Sequence, residues 1–381
     1  MFEYEKLKED YEGFQSPRVQ VLVAGKNVAT DKKQQFSISN IQIDLTCGFE
    51  ASVAEFVIYN SYNELKREYM FKELKPYITI GSAVSISIGY GPNVREVFRG
   101  FISEVNFVFR RGEAPGVEVH AMDFKGIMMA NNYAKQIKAE CYSEAVKEIL
   151  EQAFYQKLKG DTGVFNNITI ADTPDKPKQG GKKETTDKTI EMVCESDYEF
   201  VVKAAKKYNY EFFQAGDTIH FRQAKCDTQT LMNVGPETGL MAFEIGYNMT
   251  GLAGKIEVRN TDPGKGQIVK YAIKNKGKLS QGSIAKQLVD KQTRVYIDPT
   301  ASSQIEAENR ARYLLEDMSY RLGTLEADFI GLPELTPGKF IEVTGFGTPV
   351  KNKFYIYSVH HSMEANKLFE THVTGKASTQ V

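Results

Sequence analysis

The stretch that most constrains this chain is Gly323 to Gly375, where apolar and polar residues alternate with a period of two in three segments. These are Lys339-Phe340-Ile341-Glu342-Val343-Thr344, Lys353-Phe354-Tyr355-Ile356-Tyr357-Ser358-Val359 and Leu368-Phe369-Glu370-Thr371-His372-Val373. Such alternation marks half-buried strands. Pro337-Gly338, Gly345-Phe346-Gly347 and Glu364-Ala365-Asn366-Lys367 supply the turns between them. The stretch therefore reads as a compact antiparallel β unit.

The pattern occurs twice. Gly81-Ser82-Ala83-Val84-Ser85-Ile86 echoes Gly338-Lys339-Phe340-Ile341-Glu342-Val343, and each run leads to an aromatic flanked by glycines. Further on, Phe101 to Val105 echoes Tyr355 to Val359, and Val117 to Ala121 echoes Phe369 to Val373. An amphipathic helix is expected upstream of each copy, after Ser61 and after Ser303. The reading is an internal duplication of one barrel-like unit. Two unrelated hairpin domains that share Gly-aromatic-Gly turns by chance are the competing explanation.

Composition narrows the function classes. At 381 residues the chain has room for two or three domains. Lys+Arg is 48 and Asp+Glu 49, so the formal net charge of -1 gives no global field for nucleic acid or an anionic membrane. No apolar run reaches the 18 or so residues that a membrane helix needs, and the N-terminus lacks a signal peptide's basic start. Synthesis in the cytoplasm without a signal peptide is expected. Cys47, Cys141, Cys194 and Cys226 are widely spaced and suit free thiols in a reducing compartment.

Taken in order, the expected class is α+β and mainly β, with two similar antiparallel β-barrel-like domains flanking a mixed α+β insert. Residues 1–15 form a charged, loosely held arm in which Tyr4, Tyr11 and Phe14 could dock onto a neighbour. Residues 16–125 form the first β-barrel domain, with Ser61 and Glu64 as a capping box for a helix that Pro76 ends. The insert spans 126–240, with helices capped at Ser143 and at Ser196-Glu199. Within it, Ala171 to Thr189 carries no large apolar residue and is expected to be a mobile loop. Residues 241–381 form the second barrel, including strands at Lys255–Arg259 and Gln267–Ala272 and a helix opened by Ser303-Gln304-Ile305-Glu306.

No segment nominates a catalytic centre, and no catalytic, cofactor or metal residues are expected. His360, His361 and His372 are the one metal-like cluster, with His361 and His372 expected on one face. They lack a third ligand, and structural histidines are the simpler account. Glu191, Glu195, Asp197 and Glu199 could pair for acid-base work, but they fall at a helix N-terminus where capping and the helix dipole explain them. Gly251-Leu252-Ala253-Gly254-Lys255 has the wrong spacing for a phosphate loop. The basic residues Lys182, Lys183, Lys270, Lys274, Lys276 and Lys278 read as a solvated face rather than a nucleic-acid groove.

Three ordered motifs carry a resemblance. They are Val97-Phe98-Arg99-Gly100-Phe101-Ile102 with Met122-Asp123-Phe124; Glu195 to Val201 leading to Tyr208-Asn209-Tyr210-Glu211-Phe212-Phe213; and Gly331-Leu332-Pro333-Glu334-Leu335-Thr336-Pro337-Gly338 leading to Tyr357-Ser358-Val359-His360-His361. With these, the chain resembles the phage late control D protein family, the tail hub proteins of contractile phages, R-type bacteriocins and related injection systems, with the hub half of VgrG as a relative. The resemblance implies a homotrimer that joins a hexameric tail tube to a trimeric spike, without enzymatic activity or cofactor. Its implied partners are itself, a separate spike protein, the tube protein and other baseplate proteins, with neither nucleic acid nor membrane. Two alternatives stay open from the residues alone: a tail-associated peptidoglycan hydrolase using the acids near Glu195, and a cell-wall-binding module.

Overall fold

The structure is a computed structural model that describes residues 1–29, 36–176, 190–262, 266–275, 284–301, 303–348, 350–364 and 367–380. Most of the expected mobile loop, 177–189, lies outside the described residues, as do Lys276 and Lys278. The fold is α+β and mainly β.

The chain opens with α1 (Tyr4–Asp10) and a 3-10 turn (Glu12–Phe14). A first set of strands follows: β1 (Pro17–Val23), β2 (Lys26–Asn27), β3 (Ser37–Thr46), β4 (Val53–Tyr59), β5 (Tyr62–Asn63), β6 (Glu68–Tyr69), β7 (Ala83–Tyr90), β8 (Asn93–Val108) and β9 (Gly116–Met122), with α2 (Phe71–Ile78) before β7. A mixed region comes next, with α3 (Phe124–Met128), β10 (Tyr133–Ile137), α4 (Tyr142–Leu150), α5 (Ala153–Thr162), β11 (Asn167–Ile170), β12 (Ile190–Glu195), α6 (Asp197–Tyr208), β13 (Tyr210–Ala215) and β14 (Thr218–Gln223). The last part holds β15 (Thr230–Val234), β16 (Leu240–Tyr247), β17 (Lys255–Asp262), β18 (Gln267–Lys274), α7 (Ile284–Lys291), β19 (Thr293–Ile297), α8 (Gln304–Ser319), β20 (Gly323–Ile330), β21 (Phe340–Val343), β22 (Asn352–Met363) and β23 (Glu370–Ala377).

The duplication is written in the ladders. β8 pairs β9 with Ile102 opposite Ala121 and Glu104 opposite His120, so the register shifts at Ser103. β22 pairs β23 with Ile356 opposite Gly375 and Ser358 opposite Thr374, so the shift falls at Tyr357, the same place. The strand before each also agrees: Val84 faces Gly100 and Ile341 faces Phe354. Gly81 and Gly338 both take φ +83, a conformation that a side chain disfavours. The Gly81 amide donates to the Ile102 carbonyl and the Gly338 amide to the Ile356 carbonyl. The third echo holds with a slip of two residues: Val119 corresponds to Val373, each opposite the matched Val105 and Val359. A two-residue slip keeps the same face inward.

The two copies do not close into separate barrels. β22 pairs β3 along its free side, with Val359 opposite Leu45 and His361 opposite Ile43, and this junction merges both copies into one 13-stranded sheet. The inward faces share one hydrophobic core, in which Val21, Ile43, Phe56, Ile86, Phe98 and Val119 of the first copy join Leu325, Phe329, Ile341, Phe354 and Val373 of the second.

Several expected elements differ. No helix starts at Ser61, whose hydroxyl turns back to the Ile58 carbonyl; β5 and β6 make a small hairpin there and Leu65 is 97% exposed. Helix α2 begins only at Phe71, and Pro76 lies inside it. It follows β4, whereas α8 precedes β20, the counterpart of β4, so the two helices are not equivalent. Ser143 is inside α4 rather than its cap; its amide donates to the Thr173 hydroxyl. The strands expected at Lys255–Arg259 and Gln267–Ala272 pair with each other, the first also pairs β19, and α8 covers them around Ala307, Ala311 and Met318. They form an insertion between β16 and β20. Both other capping boxes are present, at Ser196-Glu199 and Ser303-Glu306.

The N-terminal arm docks onto its own chain. Phe2 bridges to Met232, and Tyr4, Tyr11 and Phe14 pack in a run of rings that reaches Tyr90 and then Phe369. Alternating strands cannot reveal such a long-range clamp.

The matched glycines make a test. A Cβ on Gly81 meets nothing within 4 Å, while one on Gly338 would sit 2.7 Å from the Phe213 ring and 2.8 Å from Arg222. Gly81→Ala should cost about 1 kcal/mol of unfolding free energy, the backbone strain alone. Gly338→Ala should cost about 3 kcal/mol or more, because backbone strain and overpacking add. Urea denaturation of both variants checks the order.

Candidate functional site

The histidine cluster resolves into opposite faces. His360, not His361, stands opposite His372. His360 Nδ1 lies 2.7 Å from Asp44, and His372 is held between Asp328 at 2.7 Å and Glu326 at 2.9 Å. Partial burial depresses the His372 pKa, but the two carboxylates outweigh it and raise the ring above its ordinary value. His361 is buried on the inner face, with Nδ1 2.9 Å from the Thr371 hydroxyl, and burial lowers it to about 3. Among the described residues no group of three or more His, Cys, Asp or Glu side chains could hold a metal ion.

The acids near Glu195 are structural. Glu199 accepts from the Ser196 amide at 2.7 Å and closes the cap of α6. Asp197 is fully buried and accepts from Tyr133 (2.6 Å), Gln152 (2.7 Å), Asn131 (2.8 Å) and Tyr155 (2.8 Å). A carboxylate ringed by four neutral donors is a tie point between β10, α4–α5 and α6, with no acceptor capacity turned to solvent. Glu195 pairs with Lys203, and Glu191 is exposed in β12. Gly254-Lys255 opens strand β17 instead of a helix, which removes the phosphate-loop geometry. Lys270, half exposed, lies 3.6 Å from the buried Glu257 carboxylate.

The motif residues sit where separate pieces of the chain meet. Asp123 is buried at the end of β9; it accepts from the Ser52 amide at 2.9 Å, caps α3 through the Lys125 amide at 3.0 Å, and lies 3.7 Å from the buried Lys125 ammonium. Lys125 in turn donates to the Gly48 carbonyl. Gly100 leaves no room for a side chain, since a Cβ would lie 2.1 Å from the Met122 carbonyl. Glu211 of β13 takes hydrogen bonds from Tyr355 at 2.5 Å and Arg222 at 2.7 Å, and Arg222 also donates to the Gly338 carbonyl at 2.7 Å. Burial pushes the Glu211 carboxyl up, opposed by Arg222. Gln214 at the other end of β13 bridges the Val164 carbonyl and the Phe124 amide. The mixed region is thus bolted to both copies of the duplicated unit.

Two sheet edges are also accessible: the long outer side of β16, which among the described residues pairs only with β20, and the distal half of β8, where Phe107 is 45% and Phe109, just beyond it, 64% exposed. The sequence points to exposed strand edges as docking surfaces without saying which, because alternation reports which face of a strand is buried and says nothing about which edge has a partner.

A family model described as the Alg8 N-terminal domain matches residues 15–365. The chain belongs to the Alg8 N-terminal domain family. No curated protein sequence matches this family member. Among solved structures, it is similar to a tail protein from Neisseria meningitidis MC58, with a TM-score of 0.66 at 13% identity over 95% of this chain and 97% of that one. It is also similar to the 43 kDa tail protein of prophage MuSo2 from Shewanella oneidensis, with a TM-score of 0.65 at 11% identity over 95% and 99%. A third likeness is to an E. coli component of the type VI secretion system, described as similar to the T4 bacteriophage tail proteins gp27 and gp5, with a TM-score of 0.57 at 9% identity over 95% and 78%. This Alg8 N-terminal domain family member therefore has a phage-tail-protein fold.

Two measurements test the site assignments. Asp197→Asn turns an amide donor toward groups that already donate, and should lower unfolding free energy by about 3 kcal/mol. The second concerns acid. The unfolded chain protonates His220 and His361 near 6.5, whereas the folded chain holds them to about 4 and about 3, in both cases chiefly by burial. The unfolded state then binds more protons, so stability is lost as pH falls from 6.5 toward 4. His372 acts in reverse, its contribution being lost as pH rises through its raised pKa. A His361→Phe chain should be less stable at pH 7 and lose less on acidification, as read by urea midpoints across that window.

Proposed function

We propose that this protein is a non-enzymatic structural hub of a contractile phage tail or phage-tail-like particle. In this reading three copies assemble into a ring, each giving two similar units, so that six alike positions meet a hexameric tube while threefold symmetry is kept for a spike. The carrying observation is the duplication, with two copies matched in ladder register, bulge position and turn glycine. The fold of the tail-protein neighbours supports the same reading. The reading divides the chain into the arm (1–15), a first unit (16–125), a bracing region (126–240) and a second unit (241–381) that carries the 255–319 insertion. It makes the chain in the bacterial cytoplasm, seats it in an assembled tail, and gives it a separate spike protein, the tube protein and other baseplate proteins as partners.

The hydrolase alternative loses its main support, because Asp197 and Glu199 are committed to buried and capping hydrogen bonds. Native mass measurement on the full chain, alone and in isolated particles, should give three copies. A strict monomer in both settings would sink the reading.

A further inference from the structure

The junction that merges the two copies is used once within the chain, although the duplication provides the parts for it twice. β22 has three strand neighbours, β21, β23 and β3. Its counterpart β8 has only two among the described residues, β7 and β9. The counterpart of β3 is β16: β3 pairs β4 as β16 pairs β20, with Ile43 opposite Ala54 and Ile245 opposite Leu325 at matched positions. The missing third neighbour of β8 is therefore a strand like β16. The chain cannot supply its own, since six strands separate β16 from β8 in the sheet. At ~4.8 Å per strand that is roughly 30 Å.

We infer that the outer edge of β16 pairs, antiparallel, with the distal half of β8 on a second copy of this chain, repeating between copies the β3–β22 junction seen within one. This deepens the trimer reading proposed above and rests on it. The matched registers fix the pairs. Glu104 faces Asn248, Val105 faces Tyr247, Asn106 faces Gly246, Phe107 faces Ile245, Val108 faces Glu244 and Phe109 faces Phe243.

The chemistry of this register is what an interface requires. Residues directly opposite share a face, so Val105, Phe107 and Phe109 meet Tyr247, Ile245 and Phe243 on one side, while Glu104 meets Asn248, Asn106 meets Gly246 and Val108 meets Glu244 on the other. A slip of one residue would set Phe107 against Glu244 or Gly246 and lose the match. The intrachain template shows the same pattern, with Val359, His361 and Met363 opposite Leu45, Ile43 and Ile41. Both exposed rings are already braced: Tyr69 packs on Phe107 at 5.0 Å and Tyr62 on Phe109 at 5.7 Å. The two edges are different surfaces, so the contact is head-to-tail and propagates until a ring closes. An isologous dimer, with β16 on β16 or β8 on β8, would not make this pairing.

Cysteine cross-linking tests it in the full chain. In a Cys194→Ser, Cys226→Ser background, which removes the exposed thiols, Asn106→Cys with Gly246→Cys should oxidise to covalent dimers and closed trimers on a non-reducing gel. Asn106→Cys with Glu244→Cys, displaced two residues along the strand, should cross-link at least about five-fold less. Phe109→Asp, at a ring exposed in the single chain, should shift trimer to monomer while the thermal midpoint of the monomer stays unchanged. A trimer that forms without the Asn106–Gly246 cross-link and survives Phe109→Asp overturns this edge assignment and leaves the trimer reading standing. A chain that is monomeric both alone and in the particle overturns the two together.

Discussion

The antiparallel register between β3 and β22 is the constraint on which the rest of the structure depends. Backbone groups along a buried strand edge must find partners, and β22 satisfies its outer edge with a strand from the other copy. Because Leu45, Ile43 and Ile41 then face Val359, His361 and Met363, the inner faces of both copies line up on one continuous core. Sliding this ladder by one residue would leave only one of His361 and Ile43 on the inner face. The buried His361, hydrogen-bonded to Thr371 and kept uncharged by burial, is a polar marker that fits the aligned register alone.

Around that sheet, a few buried polar groups fix the positions of the added pieces. Asp123 with Lys125, Glu211 with Arg222 and Tyr355, Asp197 with its four donors, and Tyr11 with Glu334 at 2.6 Å each sit at a boundary between segments distant in sequence. Burial pushes the Glu334 carboxyl up, and the Tyr11 hydroxyl opposes it. Removing one partner of a buried pair typically costs about 3–5 kcal/mol, while replacing both by well-packed apolar groups can be neutral. Their value lies in specifying one arrangement: apolar faces would tolerate several docking angles for the mixed region, and these hydrogen bonds tolerate one.

The repeated unit was legible in the sequence because its signals are local. A glycine followed by period-two alternation and a glycine-flanked aromatic identified Gly81 and Gly338 as equivalent, and Phe101 to Val105 as the match of Tyr355 to Val359; the structure adds the shared positive φ and the shared bulge. The capping boxes at Ser196 and Ser303 were legible for the same reason. What failed depended on which partner a segment takes, whether near or far along the chain. Lys255–Arg259 has the alternation of a barrel strand, and nothing in it says that it pairs with β18 and β19 instead. The Ser61-Glu64 spacing satisfies a cap pattern, but Ser61 spends its hydroxyl on Ile58 and the hairpin wins locally. His361 was put on the face of His372 because the turn between their strands could not be counted from sequence, and an error of one residue reverses sides.

The β3–β22 ladder also bears on how the chain is made. Val359 faces Leu45 across about three hundred residues, and Tyr11 waits for Glu334. At synthesis rates of roughly 5–20 residues per second, β3 leaves the ribosome roughly 15–60 seconds before the strand that covers it. For that interval the nascent first unit presents a bare, apolar-faced ribbon to a crowded polysome on which neighbouring ribosomes carry the same ribbon. Contacts of such high order are slow to form and open to mispairing between nascent chains. The ladder that aligns the finished core is thus a hazard while the chain is being made.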